Sequence, residues 1–297
     1  MVRDLGPDDA THVLDFLKKG GTRSLLLYGL IHGGGLRRTV DSSNGGTFVG
    51  YYQSGALSGV LFAALDGYVT LHAPTPHARA GLAGALVRKG LVPRLLGGES
   101  ETVESAWSLL HADGARARSV WRLWTYEAHV EDLADEREPA LRLARTEDLA
   151  AVMAAERQAY REETGEEWDT ALNRAVRERL ARRIRERHEY IYAPNGQVIW
   201  KASVAAPSPL GAEIMNIFTL APYRGKGVAT RCLVELARRI LKRATVVTLA
   251  VRAEDVDAIH LYERAGFRRS FPRTFIFPWR ENGNGSRQVN GNGGTVH

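Results

Sequence analysis

Residues 221–230 read APYRGKGVAT, and they stand between an apolar run, AEIMNIFTL, and a helix-forming one, RCLVELARRIL. A strand that hands over to a helix through two glycines restricts the fold to an α/β arrangement. The first amides of a helix have no partner within it, and with the positive end of the helix dipole they form an anion site. Gly225 and Gly227 bring no side chain to obstruct a phosphate, and Arg224 and Lys226 add positive charge. Val228, Cys232, Leu236 and Ile240 have the spacing of a buried helix face. The competing reading of so short a motif is a glycine-rich turn with two solvated cations.

At 297 residues and 44% apolar content the chain has material for two domains. A lone cysteine, Cys232, excludes an internal disulfide and a thiolate metal cluster, and suits a reducing cytoplasm. No run resembles a signal peptide or a membrane span, so no membrane partner is expected. The net charge of +6 lies in the second half, since residues 1–132 hold 13 basic and 13 acidic side chains out of totals of 40 and 34. A phosphorylated cofactor would suit that excess as well as nucleic acid would.

Helical runs near residues 12–17 and 24–31 precede strand-like TFVGYY, LSGVLFAAL and YVTLHA, the last two joined by an Asp-Gly hairpin signal. Helix, short strand RLLGG, helix and strand RSVWRLWTYEAH complete residues 1–132. Residues 133–140 read as a linker. The second half, 141–280, repeats the order, with Thr146 as the expected cap of its first helix, and the two halves suggest a duplication. Residues 281–297, ENGNGSRQVNGNGGTVH, have little to bury and are expected to be disordered.

The stretch Arg224-Gly225-Lys226-Gly227-Val228-Ala229 resembles the acyl-CoA signature of GNAT N-acetyltransferases, and Leu261-Tyr262-Glu263 followed by Gly266-Phe267 resembles that family's later helix motif. The resemblance covers residues 141–277, and the tandem layout is similar to two-domain GNAT proteins whose first half is degenerate. It implies two tandem GNAT folds, each a mixed, mainly antiparallel twisted sheet flanked by helices, with the active site in the second. It implies acetyl-CoA as cosubstrate and a small-molecule or peptide amine as acceptor. The backbone of Ile217, Phe218 and Thr219 would pair with the pantetheine arm, and the amides of residues 224–230, Thr230 included, would hold the pyrophosphate. Asp255 stands where the family often has Asn near the cofactor.

For the chemistry, Glu213 is the expected base and Tyr262 the expected acid, a phenol being protonated at neutral pH. Competing readings are an exposed strand-end carboxylate for Glu213 and core packing for Tyr262. Glu162, Glu163, Glu166 and Glu167 fall where the family builds an acceptor wall, so they are candidates to hold a cationic amine; a charge run is also an ordinary solvated surface. Cys232 reads as buried and inert, and His260 as a helix surface residue. No metal set is found. The run from Arg174 to Arg187 holds seven arginines and two glutamates, with Glu178, Arg182 and Glu186 at ion-pair spacing, which fits a solvated helix better than a nucleic-acid surface. Set without gaps beside residues 221–227, residues 73–79 put Pro76, His77 and Arg79 opposite Arg224, Gly225 and Gly227, so the first half would lack a working cradle. The alternative to an enzyme is a non-catalytic acyl-CoA sensor.

Overall fold

The computed structural model describes residues 1–36, 45–91, 93–112 and 115–279. The expected disordered tail, residues 281–297, lies outside them. The elements in chain order are β1 (Val2–Asp4), α1 (Ala10–Lys19), α2 (Leu25–Gly34), β2 (Gly46–Gln53), β3 (Ala56–Ala64), β4 (Tyr68–His72), α3 (Pro76–Arg88), β5 (Leu95–Glu99), α4 (Ser100–Ala112) and β6 (Ala117–Ala128). There follow β7 (Arg142–Leu143), α5 (Leu149–Thr164), α6 (Thr170–Arg185), β8 (Glu189–Tyr192), β9 (Trp200–Ala205), β10 (Gly211–Thr219), α7 (Val228–Leu241), β11 (Val246–Arg252), α8 (Val256–Arg264) and β12 (Arg268–Pro278).

The chain forms two compact units. Met1–Thr125 makes the first together with the described residues from Ser270, and Tyr126–Arg269 makes the second. In the first, strands lie in the order β1-β2-β3-β4-β5-β12-β6. Strands β1 to β4 pair antiparallel, β4 and β5 parallel, and β5 and β12 antiparallel. The run near RTFIFPW, read in sequence as the end of the second half, thus lies from Ser270 onward in the first unit.

Alternation along the strands sorts this sheet's two faces. Phe48, Val60 and Phe62 pack with Val13, Leu17, Leu27 and Ile31 of α1 and α2. Val49, Leu61, Val69 and Leu71 pack with Leu82, Leu86, Val103 and Leu110 of α3 and α4.

In the second unit the order is β11-β10-β9-β8-β7, antiparallel throughout except for the parallel pair β10–β11. Three antiparallel pairs followed by one parallel pair is the pattern of β1 to β5 as well. Val152, Ala155 and Tyr160 of α5 and Val176, Leu180 and Ile184 of α6 cover Ile191 and Phe218. Helix α7 buries Val228, Cys232 and Leu236, as its spacing predicts, and Leu233 as well, while Ile240, expected on the same face, is only half-buried near the helix end.

Thr146 opens a short 3-10 turn and does not cap α5. That turn is fixed by Asp148, whose carboxylate accepts from the Arg145 amide at 2.7 Å and pairs with Arg142. The arginine run also differs from the expected solvated helix. Arg179 reaches across to Glu156 at 3.2 Å, and the Arg183 guanidinium meets the Ser203 hydroxyl at 3.3 Å, so one face of the run turns inward.

Candidate active site

Parallel pairing of β10 with β11 covers only Gly211–Glu213 opposite Val246–Thr248 among the described residues. Beyond it β10 stays with β9 to Thr219, but its register shifts between Met215 and Phe218. Asn216 sits in this bulge at φ +52°. Few non-glycine residues adopt that conformation, asparagine more readily than most. The two strands therefore part after Glu213, and β10 reaches the opening at Thr219.

A cleft of about 860 Å³ lies at this end of the unit. Thr219, Tyr223, Arg224, Gly225, Gly227, Val228, Ala229 and Thr230 line one side, and Asp257, His260, Leu261, Glu263 and Arg264 of α8 line the other. Gly225 and Gly227 have φ +70° and +74°, conformations that glycine adopts without strain. A Cβ on Gly225 would meet nothing within 4 Å. Helix α7 starts after Gly227 with no side chain capping it, so its first amides are left for something in the cleft. The Thr219 hydroxyl is buried, with no hydrogen-bond partner among the described residues. Such an arrangement fits a phosphorylated ligand.

The cations divide. Arg224 donates from Nε to the Thr219 carbonyl at 2.9 Å, pairs with Glu162 and lies over the Phe218 ring, so it braces the loop. Lys226 is exposed, 5.7 Å from the Tyr223 ring centre. Ile217 and Phe218 are buried and do not line the cleft, unlike Thr219.

Asp255 is committed elsewhere, accepting from the Ala258 amide at 3.1 Å as the cap of α8. Asp255→Ala is expected to cost about 1 kcal/mol, and Asp255→Asn only a few tenths, because Asn caps equally well. Chemical denaturation of the two variants checks this.

Tyr262 does not line the cleft. It is fully buried, tilted against Tyr126 and Phe267 at 6.3 and 6.4 Å between ring centres, so α8 turns the phenol inward as a core side chain. Its neighbours His260 and Glu263, not Tyr262, face the cleft. Glu213 is half-buried at the last residue paired with β11, before the strands part.

The four glutamates are engaged one by one. Glu162 holds Arg224, Glu163 lies 2.9 Å from Arg252, Glu166 accepts from Tyr160 at 3.3 Å, and Glu167 pairs with Arg161. Burial pushes the Glu163 carboxyl above its ordinary range, against the pull of Arg252.

Cys232 is buried, and burial raises its thiol well above the usual range. Native protein is expected to resist maleimide, reacting only when denatured, as mass spectrometry would show.

In the first unit, Thr75 is the N-cap of α3, the place that Gly227 holds before α7. Pro76, His77 and Arg79 therefore lie within the helix, and not opposite Arg224, Gly225 and Gly227 as the gapless alignment has them. The Thr75 hydroxyl accepts from the Ala78 amide at 3.2 Å, and Pro76 is the first residue of α3. The amides left bare in α7 are closed or removed here.

Residues 150–267 match the Acetyltransferase (GNAT) family model. Three solved structures share the fold over most of the chain. A GNAT-family acetyltransferase from Colwellia psychrerythraea is 15% identical with a TM-score of 0.56, covering 94% of this chain and all of its own. A Drosophila protein is 15% identical with a TM-score of 0.69, covering 93% and 98%. A tandem GNAT protein from the clavulanic acid biosynthesis pathway is 16% identical with a TM-score of 0.57, covering 93% and 97%. No curated protein matches the chain in sequence. The chain carries a GNAT acetyltransferase domain at residues 150–267, which supports acyl transfer as its class of activity; the family generally uses acetyl-CoA. Among the described residues, no helix is long and apolar enough to cross a membrane, and no cluster of His, Cys, Asp or Glu is suited to a metal.

Proposed function

We propose that the second unit transfers an acetyl group from acetyl-CoA to a primary amine of a small molecule or peptide, by direct attack in a ternary complex. The observation that carries the reading is the uncapped start of α7 behind two left-handed glycines, facing the cleft between the end of β10 and α8. Acetyl-CoA, when bound, supplies an activated thioester. The amides of residues 225–230 would hold its pyrophosphate with help from Lys226, and the edge of β10 at Ile217 and Thr219 would align the pantetheine arm. The first unit is a degenerate companion that holds no such cradle, and a buried lone thiol suits a cytoplasmic setting.

Glu163 and Glu213 are the two candidate bases: burial holds the Glu163 carboxyl above its ordinary range beside Arg252, and Glu213 is half-buried at the last residue paired with β11. A base with raised pKa shifts the rising limb of the pH–rate profile upward from about pH 4. Glu163→Gln and Glu213→Gln separate the two: replacing the base is expected to lower turnover about 100-fold or more and remove its limb of the profile, and replacing the other carboxyl to do neither.

The test of the reading is amine-dependent release of free CoA thiol across an amine panel. The interior position of Tyr262 favours a second reading, an acyl-CoA sensor without turnover. Tight cofactor binding with no thiol release would support it.

A further inference from the structure

The bulge in β10 is held by buried charges. Lys201 and Glu189 are fully buried and Glu156 nearly so. The Lys201 ammonium lies 2.6 Å from Glu156 and 3.6 Å from Glu189, and donates to the backbone carbonyl of Asn216 at 3.2 Å. The Asn216 side-chain amide donates to the Ser203 hydroxyl at 3.2 Å, and that hydroxyl donates to Glu189 at 2.6 Å. One network thus grips both ends of a residue that is itself in a left-handed conformation.

Buried ion networks are poor stabilisers compared with an apolar core, and their best-attested use is to select one conformation over another. The alternative here is evident. An unbulged β10 would continue its parallel ladder along β11 past Glu213 and close the gap. Lys201 stands alone as a charge within the apolar run VIWKASVA, at the one place where it reaches the bulge carbonyl.

We propose that Lys201 is a positioning residue: by clamping the Asn216 carbonyl it keeps β10 bulged and its edge at Ile217 and Thr219 open for the acyl-CoA arm. This rests on the cofactor reading above. The test is calorimetric titration of the full chain with acetyl-CoA in two charge-balanced variants, Glu156→Gln with Lys201→Met and Glu156→Gln with Lys201→Gln. Glutamine retains an N–H donor for the carbonyl and methionine does not. The methionine pair is expected to bind at least tenfold more weakly than wild type, and the glutamine pair at least threefold better than the methionine pair, with thermal midpoints within a few degrees of each other. Methionine-pair binding within threefold of wild type would overturn the clamp. So would equal losses in both pairs, since the effect would then belong to the missing charges or to unfolding. Absence of binding by the wild type itself would overturn the cofactor reading and the clamp with it.

Discussion

Gly227→Glu is expected to weaken acetyl-CoA binding by at least about 100-fold while leaving a cooperative thermal transition. Two effects add. At φ +74° any side chain costs about 1–2 kcal/mol, and a carboxylate at the uncapped start of α7 competes for the amides that the cofactor's phosphates would use. The loss corresponds to about 2.7 kcal/mol of binding. Crowding contributes little, because the new Cβ would meet only the end of the Arg231 side chain, at 3.2 Å. Gly165→Ala separates strain from the site. Gly165 has φ +71° with open space around it, and it ends α5 outside the cleft, so its variant should lose some stability and keep binding. Calorimetry on the three proteins decides. Undiminished binding in Gly227→Glu would remove the cradle from residues 224–230.

The largest loss of stability is expected at Gly266. A Cβ there would lie 2.0 Å from the Asp132 carbonyl oxygen and 2.8 Å from the Leu133 Cα, and φ is +99°. Both obstacles are backbone, so no side-chain rotation relieves them. Gly266→Ala should destabilise the second unit by about 3–5 kcal/mol and lower its melting point by about 10 °C, as a thermal scan would show. A shift under 3 °C would mean that residues 132–133 do not pack there. In sequence this glycine is legible only as part of a family motif; its contact with Asp132 explains physically why no side chain fits.

The strand–loop–helix around Gly225 and Gly227 was readable because every level agrees on it: apolar run, bare glycines, then a helix with one buried face. The same holds for the buried Cys232. Side-chain direction was less readable. In α8 the residues His260 to Glu263 cover almost a full turn, and sequence spacing alone did not say that Tyr262 takes the inward position. Asp255 showed its charge but not its task, since a carboxylate ahead of a helix serves a cap as readily as a ligand. The network under the bulge left traces: a lysine in an apolar strand, and an asparagine in AEIMNIFTL where strand propensity disfavours it. Neither residue names its partner, because Glu156, Glu189 and Asn216 meet only through tertiary packing. The arginine run misled for the same reason, as helical spacing shows neighbours on one helix and not the carboxylate on α5 that Arg179 finds.

The placement of β12 bears on how the protein is made. Residues 270–278 lie between β5 and β6 in the first unit's sheet, so a nascent chain that has emerged through β6 holds a sheet without one of its inner strands. The unit encoded first is the one completed last, after Tyr126–Arg269 of the second has been synthesised. Removing a few dozen residues from the C-terminus, commonly a mild edit, would here leave the N-terminal unit incomplete.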